Sequence, residues 1–129
     1  MCDERRVLVV DDTDYIRELL HDVLTFSGYL VSLAHHGAHG LQLIETARPC
    51  AILLDLEMPV MNGREFVHAY CQTPRPHAFI IVMTAMLDGA RHAAALQVAG
   101  HLRKPFALDH LLAIVDHQVR AHPAPAPSG

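Results

Sequence analysis

The 129-residue chain has no excess of basic residues, no long apolar run and only three cysteines. Its formal net charge is −4, and no basic stripe is visible, which argues against direct binding of nucleic acid by this chain. The longest uncharged apolar stretches, such as FIIVMTAML, are far too short to span a bilayer. Because 51% of the residues are apolar, the chain is predicted to be a globular domain without a membrane-spanning segment.

The cysteines and the first residues bear on the compartment. Cys2, Cys50 and Cys71 are odd in number and match no metal or disulfide spacing, so we interpret them as reduced thiols. The opening residues MCDERR place acids before an apolar run of only four residues, which is unlike a signal peptide. Both observations favour a cytoplasmic protein.

Apolar strand-like runs alternate with helix-period segments along the whole chain. Such uniformly apolar strands indicate a parallel sheet that is covered by helices on both faces, an α/β doubly wound fold. Residues 1–121 are predicted to form this domain, and the Pro/Ala-rich residues 122–129 a flexible tail or linker stub. The predicted strands are VLVV, LVSLA, AILLD, FIIVM and HLR.

Polar residues stand at the carboxyl ends of four of these strands. Asp11 and Asp12 follow strand one, Asp55 ends strand three, Thr84 follows strand four and Lys104 follows strand five. Ligands of doubly wound sheets bind at the edge where the strands end. The three aspartates lie close together there only if strands one and three are neighbours, roughly 4.8 Å apart. Carboxylates about 4 Å apart repel by roughly 4 kcal/mol, which a divalent cation such as Mg²⁺ relieves. Together the three aspartates, Thr84 and Lys104 predict a binding site for a phosphoryl group that is transferred to a carboxylate.

Four stretches of the chain resemble the receiver domain of two-component response regulators: VLVVDDTDYIRELL, AILLDLEMPVMNGREF, IIVMTA and LRKPF. The match DLEMPVMNG is the most specific of them. The resemblance covers nearly the whole chain and includes single-domain regulators of the chemotaxis type. It implies a flavodoxin-like sheet of five parallel strands in the order 2-1-3-4-5.

The resemblance also implies roles for individual residues. Asp55 would accept a phosphoryl group from a histidine kinase or a histidine phosphotransfer protein. Asp12 and Asp55 would ligate Mg²⁺ directly, Asp11 mainly through water, and Glu57 through its backbone carbonyl. Beyond its own phosphorylation and dephosphorylation, the chain would not be an enzyme.

Further roles concern the response to the phosphoryl group. Thr84 would hydrogen-bond a phosphoryl oxygen, Lys104 would pair with the group, and the Lys104–Pro105 bond would be cis. His101 stands where most receivers have Tyr or Phe. It is either a partly exposed histidine with no special role or, as we hypothesise, a mobile ring whose coupling is weak or sensitive to pH. The face made by helix four, strand five and helix five would then control a partner or an output domain, and phosphorylation-linked dimerisation through it is common in the family.

Two other functions remain open at this level. The segment DTD (12–14), with Thr84 and Lys104, resembles part of a haloacid-dehalogenase-like phosphatase. The chain could also be a receiver-like module that binds proteins without phosphate. Its output, whether a partner protein, a missing output domain or a phosphate sink, is not given by the sequence. His35, His36 and His39 are interpreted as solvated loop histidines.

Overall fold

The computed structural model describes residues 3–58, 61–74 and 77–121, in which five parallel strands alternate with five helices. The predicted tail, residues 122–129, lies outside this part of the chain. The strands are β1 (Asp3–Val10), β2 (Leu30–Ala34), β3 (Pro49–Asp55), β4 (Phe79–Thr84) and β5 (Gly100–Arg103). The helices are α1 (Asp14–Phe26), α2 (Gly37–Ala47), α3 (Gly63–Cys71), α4 (Gly89–Leu96) and α5 (Leu108–Ala121).

The strands lie in the order β2-β1-β3-β4-β5, which confirms the predicted flavodoxin-like topology. All neighbouring pairs are parallel, and β1 and β3 lie side by side as the convergence of the acids required. The strand order reverses between these two strands. The carboxyl ends of β1 and β3 therefore flank the switch point, where this class of sheet binds its ligands.

Two apolar cores sandwich the sheet because successive side chains of a strand point to opposite faces. Leu8 and Val10 of β1 face the core beneath α2, α3 and α4, whereas Val7 and Val9 face the core beneath α1 and α5. The central strand β3 is buried along its full length. This burial on both faces explains why the strands are apolar runs without alternation.

Several element boundaries differ from the sequence prediction, among them those of β1 and α4. β1 begins at Asp3, although only residues 7–10 were predicted, because backbone pairing with β3 reaches the register Asp3↔Pro49 and does not depend on apolar side chains. The alanine-rich segment predicts a helix from about Asp88 to Val98. In the structure α4 ends at Leu96, since Gln97 has the left-handed φ of 58°, which terminates a helix. None of the helices in the described ranges has the length and apolar character needed to cross a bilayer.

The interpretation of the cysteines as reduced thiols needs one correction. Cys71 is free and exposed, as predicted. Cys50, near the start of β3, is disulfide-bonded, so the prediction is wrong there. Cys2 lies outside the described residues. Spacing along the chain does not show which cysteines a fold brings together, and the thiols therefore no longer support a cytoplasmic location.

Candidate functional site

Three carboxylates meet at the switch point between β1 and β3. Val10 pairs with Leu54 in the register, which places the next residues, Asp11 and Asp55, beside each other. Ligand oxygens of Asp11, Asp12 and Asp55 lie within 4.8 Å of one another. Asp11 and Asp55 are only 0% and 2% exposed, whereas Asp12 is exposed to solvent. The cluster thus has a buried inner pair and an outer carboxylate that is open to solvent.

Backbone and side-chain contacts fix the orientation of Asp11. Its N–H donates to the carbonyl of Ala34 at the end of β2 over 3.1 Å. Its Oδ1 accepts from the N–H of Thr13 over 2.9 Å, just before α1. Nη1 of Arg17 donates to the Asp11 carbonyl over 2.6 Å. Sequence reasoning did not include Arg17, because nothing in the sequence pattern of α1 links this residue to Asp11.

Lys104 provides the positive charge opposite the inner pair. Its backbone N–H donates to the carbonyl of Thr84 over 2.8 Å, which holds the residue just beyond β5. Its Nζ lies 3.1 Å from Oδ2 of Asp11 and 3.3 Å from Oδ2 of Asp55. The Lys104–Pro105 peptide bond is cis. One ammonium group therefore bridges two buried carboxylates.

The charges of the inner pair and Lys104 are strongly interdependent. Burial and then the charge of Asp11 raise the pKa of Asp55 to about 7, although Lys104 and the Glu57 N–H act in the opposite direction. Burial lowers the pKa of Lys104, but the charges of Asp55 and Asp11 outweigh it, so this pKa lies above its ordinary value. A single ammonium group does not neutralise two buried carboxylates, and the site retains excess negative charge.

The donor set of this cluster fits a hard divalent cation. All three side chains offer carboxylate oxygen, the ligand type that Mg²⁺ prefers. Burial and then the charge of Asp11 raise the pKa of Asp55, and a bound cation would relieve the repulsion between the two carboxylates. Receiver domains bind Mg²⁺ at an acidic pocket of this kind. Asp11, Asp12 and Asp55 are the residues that would hold the ion. In the described part of the chain, no other group of three or more such side chains meets the same distance criterion.

Thr84 and Glu57 form a contact that sequence reasoning missed. Thr84 is fully buried at the end of β4, and its Oγ1 donates to Oε1 of Glu57 over 2.7 Å. The N–H of Ala85 donates to the same oxygen over 2.9 Å. Oγ1 of Thr84 in turn accepts from the N–H of Met86 over 3.0 Å. The only sequence signal was an acid two residues after Asp55, for which only the backbone carbonyl was assigned a role.

His101 lies near Thr84 but is exposed at the surface of β5. A Cβ built on Gly89 would lie 2.8 Å from Cγ2 of Thr84 and 3.5 Å from Cδ2 of His101, so both side chains reach the first residue of α4. This proximity is compatible with a switch role for His101, which stays a prediction.

The interpretation of His35, His36 and His39 as loop histidines is wrong for His39, which lies in α2. Nδ1 of His36 accepts from the N–H of His39 over 3.0 Å and so caps the start of α2. His35 is exposed, and Nδ1 of His39 lies 3.1 Å from its Nδ1. The ring nitrogens of these three histidines do not lie close enough together to form a metal site of the kind that the aspartate cluster would form.

Gly63 allows the loop after Asp55 to close against the start of α3. An added Cβ would lie 2.6 Å from Cδ2 and 2.8 Å from Cα of Leu56, and 3.0 Å from the carbonyl oxygen of Asp55. Because two of these atoms belong to the backbone, we expect Gly63→Ala to lower the free energy of unfolding by about 1–3 kcal/mol, which urea denaturation would measure. Gly100→Ala is the matched control, since its Cβ would meet nothing closer than 3.9 Å. Equal urea midpoints for the two variants would contradict this assignment.

Comparison with known proteins places this geometry in a family context. The family model of the response regulator receiver domain matches residues 7–116. The response regulator MprA of Mycobacterium ulcerans (strain Agy99) is 41% identical over 110 residues, which cover 84% of this chain and 47% of the relative. MprA of Mycobacterium avium (strain 104) is also 41% identical over 110 residues, covering 84% of this chain and 48% of the relative. The chain therefore spans about half the length of the curated relatives it matches.

Solved structures show the same fold. The chemotaxis protein CheY4 of Vibrio cholerae has a TM-score of 0.78 at 33% identity, with coverage of 87% of this chain and 96% of that one. A CheY-like receiver domain protein of Methanospirillum hungatei has a TM-score of 0.81 at 27% identity, with coverage of 91% and 94%. The similarity thus extends over nearly the whole of these single domains.

Proposed function

Because the chain belongs to the response regulator receiver domain family, we propose that Asp55 accepts a phosphoryl group and that the domain acts as a phosphoacceptor switch. Receiver domains are generally signalling modules and not enzymes. The observation that supports Asp55 as acceptor is its place in the cluster. Like Asp11, it is buried and contacts Lys104, and of the three carboxylates it is the one that ends the central strand β3.

In the proposed reaction, a carboxylate oxygen of Asp55 forms a bond to phosphorus while the bond from phosphorus to the donor's imidazole nitrogen breaks. The electron pair of that bond stays on the nitrogen. Bound Mg²⁺ would neutralise charge on the phosphoryl oxygens. Lys104, whose Nζ already lies 3.3 Å from Oδ2 of Asp55, supplies a second positive charge. The hydroxyl of Thr84 and the N–H of Ala85 supply hydrogen-bond donors at the end of the adjacent strand.

The donor would be a histidine kinase or a histidine phosphotransfer protein, as for response regulators in general. Thr84 would transmit the effect of phosphorylation to the surface, since it lies beside Gly89 at the start of α4 and close to His101 on β5. The face of α4, β5 and α5 would then control a partner protein or an output domain, and phosphorylation-linked dimerisation would use the same face. A role as phosphate sink in a relay is the alternative to control of a partner or an output domain. We also propose a cytoplasmic location.

The first experiment is intact-mass analysis after incubation with acetyl phosphate and Mg²⁺. We expect the wild type to gain one phosphoryl group, about 80 Da from the chemistry of phosphorylation, and Asp55→Asn or an EDTA-treated sample to gain none. Asp55 is the expected acceptor, and Asp12→Asn should therefore still form the adduct, only more slowly because its Mg²⁺ binding is weaker. An adduct on Asp55→Asn would refute Asp55 as the acceptor.

The same sample tests the two alternative functions. A haloacid-dehalogenase-like phosphatase would use Asp12 as nucleophile and would turn over p-nitrophenyl phosphate many times. Asp12 is exposed, and Lys104 contacts Asp11 and Asp55, which favours Asp55. A module that is independent of phosphate would show no adduct and no spectral response to beryllofluoride.

A further inference from the structure

The carboxylate of Glu57 accepts hydrogen bonds from two donors at the proposed reaction site. The hydroxyl of Thr84 and the N–H of Ala85 both donate to its Oε1, over 2.7 and 2.9 Å. The Thr84 hydroxyl oxygen accepts from the N–H of Met86, and the single hydroxyl proton can be donated to one acceptor at a time. Two donors that converge on a single charged oxygen form an anion site.

A phosphoryl oxygen on Asp55 would require the same donors. Asp55 and Thr84 end adjacent strands, with Asp55 opposite Met83 in the register, so Thr84 lies one residue beyond the acceptor. Each donor has one proton, and the backbone N–H of Ala85 cannot turn to a new direction. Glu57 and a phosphoryl oxygen therefore compete for one position.

We propose that the Glu57 side chain is an internal anion that occupies the phosphoryl-oxygen position at Thr84 and Ala85 and that a phosphoryl group must displace. This inference rests on the proposed phosphoacceptor function and adds a regulatory element to the same site. Glu57 holds the Thr84 hydroxyl by a charge-assisted hydrogen bond before any phosphoryl group arrives. It thereby raises the concentration of phosphoryl donor or analogue that is needed to redirect the hydrogen bond of the Thr84 hydroxyl.

The connection of Glu57 to the acceptor strengthens this competition. The N–H of Glu57 donates to Oδ1 of Asp55 over 3.0 Å, so the acceptor and the competing carboxylate are held by the same short loop. Movement of the Glu57 side chain away from Thr84 leaves this backbone contact in place. Exchange of the two anions thus requires a side-chain rotation and no refolding of the loop.

Binding of beryllofluoride, an analogue of the phosphoryl group, tests the competition directly. We would titrate beryllofluoride with Mg²⁺ into the full chain and follow amide resonances in wild type, Glu57→Ala, Glu57→Gln and Glu45→Gln. Glu57→Ala should bind about tenfold more tightly, because the competing charged acceptor is gone. Glu57→Gln keeps an acceptor without the charge and should fall between wild type and Glu57→Ala. Glu45→Gln removes an equal charge from the exposed face of α2 and should match the wild type.

The amide proton of Ala85 gives an independent readout without beryllofluoride. It should shift upfield in Glu57→Ala, since it loses a carboxylate acceptor, and stay in place in Glu45→Gln. Equal affinities of wild type and Glu57→Ala would overturn this inference and leave the proposed function intact. Equal gains in Glu57→Ala and Glu57→Gln with an unmoved Ala85 amide would overturn it as well, since charge repulsion alone would then act. Binding by none of the proteins would overturn the proposed function together with it.

Discussion

Replacement of Lys104 by methionine is expected to lower the free energy of unfolding by about 3–5 kcal/mol at pH 8 without Mg²⁺. The substitution removes the ammonium group that lies 3.1 Å from Asp11 and 3.3 Å from Asp55, two carboxylates that are almost fully buried. Methionine fills a similar volume, so the loss is one of charge compensation rather than of packing. Urea denaturation followed by circular dichroism measures the change.

The pH and metal dependence identify the cause of this loss. The pKa of Lys104 lies above its ordinary value in the folded chain, so its stabilising contribution is fully present at neutral pH and is lost only as the pH rises through that pKa. Protonation of the carboxylates in acid should reduce the effect of the substitution. Mg²⁺ should stabilise Lys104→Met more than it stabilises the wild type, because the ion replaces the missing charge.

Arg103→Met is the matched control for Lys104→Met. Arg103 ends β5, immediately before Lys104, and is exposed. We expect its replacement to change stability by less than about 0.5 kcal/mol, as is usual for surface positions. A loss of similar size in both variants would show that the end of β5, and not the charge of Lys104, determines stability.

Asp55→Asn is expected to stabilise the metal-free chain at pH 8 by about 2–4 kcal/mol, equivalent to roughly 10 °C in melting temperature. Burial and the charge of Asp11 raise the pKa of Asp55 from 3.8 to about 7. The folded chain therefore binds a proton more tightly than the unfolded chain, and ionisation of Asp55 opposes folding. Asparagine has a similar shape and removes the ionisable group, at the cost of the contact with Lys104.

The sign of the pH dependence follows from linkage. The penalty is fully present above pH 7 and is relieved as the pH falls from about 7 toward 3.8, where the unfolded carboxyl also protonates. Between pH 8 and pH 5, thermal unfolding should show the difference between Asp55→Asn and wild type becoming smaller. Asp12→Asn, at the exposed member of the cluster, should show a much smaller difference at both pH values. A stabilisation that does not change with pH would contradict the raised pKa.

Local sequence patterns predicted most of the strands and helices, because these elements are formed by residues that are neighbours in sequence. Each apolar run became a strand, and the polar residues after it came to one edge because parallel strands all end there. The adjacency of β1 and β3 followed from the need to bring Asp11 and Asp55 together. The part of β1 before Val7 was missed, since its backbone pairs with β2 at Arg6 and with β3 at Asp3, and this pairing does not depend on hydrophobicity.

The candidate site shows the same division at finer detail. The aspartate pair Asp11–Asp12 was visible in the sequence, but the structure decides that Asp11 is buried and that Asp12 faces solvent. Hydrogen bonds to the carbonyl of Ala34 and from the N–H of Thr13 hold Asp11 in this position. The side-chain role of Glu57 was missed for a similar reason, because it depends on how the loop after β3 approaches the end of β4.

The sequence by itself determined the order of strands and helices, the family resemblance and the set of polar residues at the strand ends. These features depend on residue type and on periodicity along the chain. Only the tertiary structure decided which carboxylates are buried together, which of them Lys104 contacts, that Cys50 is disulfide-bonded and that Glu57 holds Thr84. Those features depend on distances between residues far apart in the chain, and burial and charge act through such distances.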